Sequence, residues 1–188
     1  MSRPEEQDEV LFDTSRKLDD AGIPHMLTGS FALAFYVHEF RGTNDLDIVI
    51  EARADHVGPL MTMFPESDDW YISESAVREA ITQHRMFNVI NSTTGLKLDL
   101  IQLKTDEFEQ LKFSRRQRVE RDGVGFWIIT PEDLLLSKLA WGKRGASALQ
   151  ANDVRVLIRD YPELDWRYAN KWIDSLGLRD WFEEARQG

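Results

Sequence analysis

A strand that carries two carboxylates constrains this chain more than any other stretch. Asp45-Leu-Asp-Ile-Val-Ile alternates, so Leu46, Ile48 and Ile50 share one face while Asp45 and Asp47 share the other, their Cα atoms about 7 Å apart. Asp99 repeats the situation inside Leu96-Lys-Leu-Asp-Leu-Ile, on the face opposite Leu98 and Leu100. A carboxylate in an apolar strand is costly unless a cation or hydrogen bonds compensate it. Two or three that converge repel one another unless a hard divalent cation lies between them, and Mg2+ accepts few carboxylates together with phosphate oxygens. The pattern predicts a metal site at Asp45, Asp47 and Asp99. In the alternative reading Asp45 caps the Thr-Asn turn before it, Asp47 is solvated on an edge strand, and Asp99 faces water beside Lys97.

What lies upstream bears on that choice. His25-Met-Leu-Thr is a short apolar segment that stops at Gly29-Ser30 and passes into Phe31-Ala-Leu-Ala-Phe-Tyr-Val, which reads as strand, tight turn and buried helix. Glycine and a hydroxyl at such a turn present backbone N–H groups and an O–H at a helix start, an arrangement suited to phosphate, although Gly-Ser also opens ordinary helices. Phosphate turn, paired carboxylates and a third strand carboxylate form one constellation.

The rest of the chain supplies the frame. Residues 4 to 21 carry Val10, Leu11, Leu18 and Ala21 at helical spacing, closed by Gly22 and Pro24. A helix is expected at about 53 to 64 and another at 74 to 83, then a hairpin of strands 86–90 and 96–101 around Ser92-Thr-Thr-Gly95. A second hairpin joins 115–121 to 124–129 through Asp122-Gly123. Thr130-Pro-Glu-Asp then opens a helix, with Thr130 as N-cap, Pro131 in the first turn and Asp133 closing a capping box in place of the usual Glu. Beyond it only helices are expected, with Leu164, Tyr168, Trp172 and Leu176 on one stripe and Leu178, Trp181, Phe182 and Ala185 on another. The expected architecture is an α/β (α+β) core, a mixed sheet flanked by helices over 1–130, with a C-terminal helical lobe over 131–188.

Gly29, Ser30, Asp45, Asp47 and Asp99 together resemble the signature of the DNA polymerase beta-like nucleotidyltransferases. Arg41-Gly-Thr-Asn-Asp-Leu-Asp and Thr130-Pro-Glu-Asp-Leu-Leu-Leu-Ser-Lys138 look most like the AbiEii-like nucleotidyltransferases of type IV toxin-antitoxin systems, and the helix around Asn152-Asp153-Val154 resembles their Asp-containing helix. The region around Asp153 lacks the usual Arg-Lys-Asp run. The resemblance spans about residues 23 to 160. It implies transfer of a nucleoside monophosphate from an NTP to an acceptor hydroxyl with loss of pyrophosphate, served by two Mg2+ ions, with Mn2+ as a substitute. Asp45, Asp47 and Asp99 would be the catalytic metal ligands, and Gly29, Ser30, Arg41, Thr43, Lys138 and Asp153 would serve the nucleotide. Lys138 has an argument of its own, because Leu134, Leu135 and Leu139 put it on the apolar face of its helix, where it needs a partner: a phosphate, solvent reached by snorkelling, or an acid of the core. Arg41 could clamp phosphate or pin its loop.

Charge and composition limit the partners. With 23 Lys+Arg against 33 Asp+Glu the net charge is −10, so long nonspecific DNA contacts are disfavoured. Lys112-Phe-Ser-Arg-Arg-Gln-Arg-Val-Glu-Arg121 is the one stretch suited to RNA, or else a charged strand guarding a sheet edge. Cysteine is absent, which removes disulfides, thiolate metal sites and cysteine nucleophiles. His25, His38, His56 and His84 show no metal spacing. No apolar leader follows Met1, and the longest apolar run, Phe31 to Val37, is too short to span a membrane, so a cytoplasmic address is expected. Three readings follow: a toxin-like transferase with an RNA or protein acceptor and a cognate antitoxin or regulator, a small-molecule transferase of the antibiotic-modifying kind, and a nucleotide- or partner-binding module without turnover. The first is the leading expectation.

Overall fold

The structure is a computed structural model that describes residues 3–145 and 147–187; Met1 and Ser2, where a leader would begin, lie outside the described residues. The chain divides into two compact units, one of residues 1–31 and 42–128, the other of residues 32–41 and 129–188.

The first unit is built on a seven-stranded mixed sheet. Its strands are β1 (His25–Thr28), β2 (Asp45–Ile50), β3 (Trp70–Ile72), β4 (Met86–Asn91), β5 (Lys97–Gln102), β6 (Gln117–Arg121) and β7 (Val124–Ile128), in the order β3-β4-β5-β2-β1-β7-β6. β2 lies parallel to β5 and antiparallel to β1, and β1 lies parallel to β7. The register sets alternate rows on alternate faces: Leu27, Ile48, Leu100 and Phe87 align across four strands, and Leu46, Leu98 and Val89 form the next apolar row. All seven are buried, as β2 and β5 require once they are central strands.

Helix α1 (Arg3–Asp20) brings Leu11 and Leu18 into the core, and Phe12 meets Phe126 of β7 at 5.8 Å between ring centroids. It stops where Gly22 adopts φ +65°, and the Ile23 N–H returns to the Leu18 carbonyl, closing a left-handed cap. The helix expected at 53–64 is a 3-10 turn, Ala54–His56, running into α3 (Val57–Met63). Helix α4 (Glu74–Gln83) starts at Ser73, whose hydroxyl accepts the Ala76 N–H, and buries Val77 and Ala80.

Three local expectations differ. The apolar run after Gly29-Ser30 is helical only through α2 (Gly29–Leu33); Phe35 and Tyr36 then make i→i+3 turn bonds. Aromatic and β-branched residues favour helix weakly, and Tyr36 instead gives its hydroxyl to the Ile129 carbonyl at 2.5 Å and meets Tyr161 edge-on at 5.7 Å. Burial pushes the Tyr36 phenol well above its ordinary value. Strand β3 was not expected, because three residues are too few to show alternation. Nor was α5 (Glu107–Ser114), although Asp106 caps it by accepting the Glu109 N–H at 3.1 Å. The basic run is thus split, with Lys112 on α5 and Arg118 and Arg121 on β6.

The second unit is helical: α6 (Pro131–Gly145), α7 (Ala148–Asp160), α8 (Trp166–Ser175) and α9 (Arg179–Gln187). The Thr130 hydroxyl gives a hydrogen bond to Asp133 Oδ2 and accepts the Asp133 N–H, the cap expected from the sequence. Asp133 is fully buried and its other oxygen accepts the Tyr168 hydroxyl at 2.6 Å, which ties α8 to the start of α6. Residues 32–41 belong to this unit through Tyr36 and through the His38 N–H, which binds Asp160. No described helix is long and apolar enough to cross a membrane.

Candidate active site

The register that builds the core also builds the site, on the opposite face of the same strands. Thr28, Asp47, Asp99 and Asn88 are direct partners in a row across β1, β2, β5 and β4, and Asp45 is the partner of Lys97 in the next row on that face. The parallel pairing of β2 with β5, which the sequence does not display, thus sets the third carboxylate beside the Asp-x-Asp pair.

Asp99 is 7% exposed rather than solvated. Lys97 Nζ reaches Asp99 Oδ2 at 2.9 Å, and the Asn88 side-chain amide gives a short hydrogen bond to its other oxygen. The same ammonium lies 3.6 Å from Asp45, whose carboxylate is half exposed. Burial works against the charge on Lys97, but the hydrogen bond to Asp99 and the fields of Asp99, Asp45 and Asp47 outweigh it and hold the group above its ordinary value. Thr43 acts locally as a turn residue: its hydroxyl accepts the Asp45 N–H at 3.3 Å, and its carbonyl accepts Gln7 Nε2 at 2.6 Å, fixing the approach to β2.

Gly29 explains how the turn after β1 and the carboxylates are joined. At φ +69° it occupies the left-handed region, and a Cβ placed on it would stand 1.9 Å from Asp47 Oδ2. The turn backbone therefore lies directly against the Asp47 carboxylate, an approach that only glycine allows. Ser30 follows it, half-buried, in the first turn of α2.

Three hard oxygen donors with positive charge already drawn among them have the chemistry that Mg2+ selects. Among the described residues, no group of three or more His, Cys, Asp or Glu side chains is arranged so that it could hold a metal ion; the ammonium of Lys97 stands between Asp99 and Asp45.

The other predicted residues gather within the second unit. Arg41 is bidentate to Asp153, with Nε to Oδ1 at 3.0 Å and a terminal nitrogen to Oδ2 at 3.1 Å. Lys138 Nζ reaches the same Oδ2 at 2.7 Å, with Lys138 and Asp153 both almost wholly buried. Lys138 is thus a buried lysine paired with an acid of its own lobe, and Asp153 is the acceptor of both cations. The basic run 112–121 engages neighbours in the chain: Lys112 with Glu109, Arg116 over Phe113 and Trp127, Arg118 with Asp19, and Arg121 with Asp8. β6 is the last strand of the sheet, where charged side chains discourage edge pairing.

No protein-family model matches the chain, and no curated protein matches its sequence significantly. Solved structures do. An antigenic nucleotidyltransferase-like protein from Paracoccidioides brasiliensis superposes with a TM-score of 0.55 at 19% identity, over 95% of this chain and 91% of that one. The chain shares the fold of that nucleotidyltransferase-like protein. ANT(2")-Ia, solved with adenylyl-2"-tobramycin, has a TM-score of 0.60 at 11% identity over 94% of this chain and 98% of its own. JHP933 from Helicobacter pylori has 0.54 at 15%, over 94% and 75%. At such identities the likeness is one of fold.

Lys97 and Asn88 were not among the residues singled out from sequence. Asn88 follows from the register of the β4–β5 hairpin, which sets it opposite Asp99, and Lys97 from the β2–β5 register, which sets it opposite Asp45.

Proposed function

We propose that this protein transfers a nucleoside monophosphate from an NTP to a hydroxyl of a small acceptor, with Asp45, Asp47 and Asp99 as the centre of the reaction. The observation that supports the reading is the close approach of the Gly29 turn to Asp47, which sets a turn of the kind that can take phosphate beside a carboxylate of the kind that can take a metal. In the reaction the acceptor oxygen bonds to the α-phosphorus while the bond from that phosphorus to the pyrophosphate bridging oxygen breaks. Pyrophosphate leaves, and Asp99 takes the proton of the hydroxyl. Asp45, Asp47 and Asp99 would hold Mg2+, which when bound would neutralise triphosphate charge and lower the pKa of the attacking hydroxyl. The chain's own contribution is placement: Gly29 and Ser30 present turn N–H and O–H groups to phosphate, Thr43 sets the backbone of Asp45, and Asn88 fixes one oxygen of Asp99.

A small acceptor is favoured over RNA or protein because the basic run is engaged in ion pairs and ring contacts at a sheet edge, and because a net charge of −10 draws a cationic acceptor rather than a polyphosphate. The fold neighbour ANT(2")-Ia, solved with adenylyl-2"-tobramycin, is in keeping with a small acceptor.

The test supplies purified protein, Mg2+ and each of the four NTPs labelled at the α-phosphate to a whole-cell lysate separated into RNA, protein and small-molecule fractions. Label in the small-molecule fraction, absent with Asp45→Asn/Asp47→Asn, supports the proposal. Label in RNA or protein would move the acceptor to the macromolecular class, and no label in any fraction would leave the binding-module reading ahead.

A further inference from the structure

Lys97 is set among the carboxylates by the alternation of its own strand. In Leu96-Lys-Leu-Asp-Leu-Ile, residues 97 and 99 lie on the same face, so the lysine stem runs alongside Asp99, and the parallel register adds Asp45 as its partner across β2. The ammonium is 2.9 Å from Asp99 and 3.6 Å from Asp45, and a third of its side chain is exposed. An ion pair in that setting is neither fully screened nor buried beyond exchange. It therefore places one positive charge against two of the three carboxylates.

We propose that Lys97 is a built-in counter-ion of the carboxylate row, holding the place of the divalent cation until that cation displaces it. The inference rests on the reading of the row as a metal site, and it adds a device to that reading. A lysine suits the role because its compact charge rides on a flexible four-carbon stem and leaves without breaking a planar, two-pronged contact, which an arginine would make. The unloaded site keeps its carboxylates together at the cost of a weaker grip on the metal, since the metal must replace an existing charge-assisted hydrogen bond. Tight loading then waits for the extra oxygen donors that a nucleotide triphosphate brings.

The experiment titrates Mn2+ into the full chain and follows free Mn2+ by electron paramagnetic resonance, for the wild type, Lys97→Met, Lys97→Arg and Asp45→Asn/Asp47→Asn. Melting is measured in parallel, with EDTA and with Mn2+. Lys97→Met keeps the stem and removes the charge, so it is expected to bind Mn2+ about tenfold more tightly than the wild type, the scale of one displaced charge-assisted hydrogen bond. It should also melt lower than the wild type in EDTA and recover when Mn2+ is added. Lys97→Arg should bind no more tightly than the wild type. Unchanged or weaker Mn2+ binding by Lys97→Met, with binding by the wild type that the double Asp variant loses, would overturn the role of Lys97 and leave the metal site standing. A Lys97→Met protein that melts low in EDTA and in Mn2+ alike would show a packing role only and overturn the proposal. If neither the wild type nor Lys97→Met binds Mn2+, the metal site and the proposal fall together.

Discussion

Replacing Gly29 with alanine separates the site from the scaffold with a single methyl group. Gly29 and Gly22 both lie in the left-handed region, at φ +69° and +65°, so an alanine at either carries a backbone cost of about 1–2 kcal/mol. They differ in what the new Cβ meets. At Gly22 nothing lies within 4 Å, whereas at Gly29 the Cβ would be 1.9 Å from Asp47 Oδ2 and 2.5 Å from its Cγ. To regain the 3.4 Å of ordinary contact, Asp47 must retreat by about 1.5 Å, or the turn must shift by as much. Overpacking of this kind adds about 1–3 kcal/mol. A misplacement on the order of 1 Å at a reacting centre lowers rate about 100-fold. Gly29→Ala should therefore melt below Gly22→Ala, and it should lose transfer and Mn2+ binding while Gly22→Ala keeps both. Thermal melting of the two variants beside the labelled-NTP assay checks this. Equal melting temperatures with transfer retained in Gly29→Ala would refute the idea that the turn is seated against a working carboxylate.

Three further outcomes follow from the same geometry. Asp153→Asn leaves Lys138 buried without its carboxylate and should cost about 3–5 kcal/mol, measured by chemical unfolding; Arg41→Ala should cost less, since Arg41 is partly exposed. His25 is buried with its Nε2 unpartnered, and burial holds its pKa below 6.5 against the opposing pull of the Ile23 carbonyl and Asp19. The unfolded chain therefore takes up a proton near 6.5 that the folded chain refuses, so stability falls as pH drops through and below 6.5. His25→Gln should flatten that part of the melting-temperature profile, and an unchanged slope would assign it to other groups. Reversing Arg115 and Arg118 to Glu should cost at most about 1 kcal/mol each and leave transfer to a small acceptor intact, whereas a tenfold loss would reinstate a macromolecular acceptor on that edge.

Strands and caps were legible where chemistry is local. The alternation of Asp45–Ile50, the Asp122-Gly123 turn and the Thr130–Asp133 cap each involve neighbours in the chain, and the structure shows all three. The sheet order was not legible, because the parallel pairing of β2 with β5 joins residues about fifty apart with no turn to announce it. For the same reason the sequence could place Asp45 and Asp47 on one face but not Asp47 opposite Asp99. Lys138 shows the limit from another side: its place on an apolar helix face demanded a partner, and only the tertiary structure names Asp153. The Asp106–Glu109 cap of α5 was written in the sequence, but it lay ahead of a segment with a weak apolar stripe.

The most direct test of the carboxylate row as a metal–nucleotide site is calorimetric titration of an NTP analogue that carries a methylene group between the α- and β-phosphorus and so cannot react. It compares Mg2+ with EDTA, in the wild type and in Asp45→Asn/Asp47→Asn. The account predicts binding at least about tenfold tighter with Mg2+ than without, and loss of that difference in the double variant. Equal affinity in Mg2+ and EDTA, or a Mg2+ effect that survives loss of both carboxylates, would contradict it.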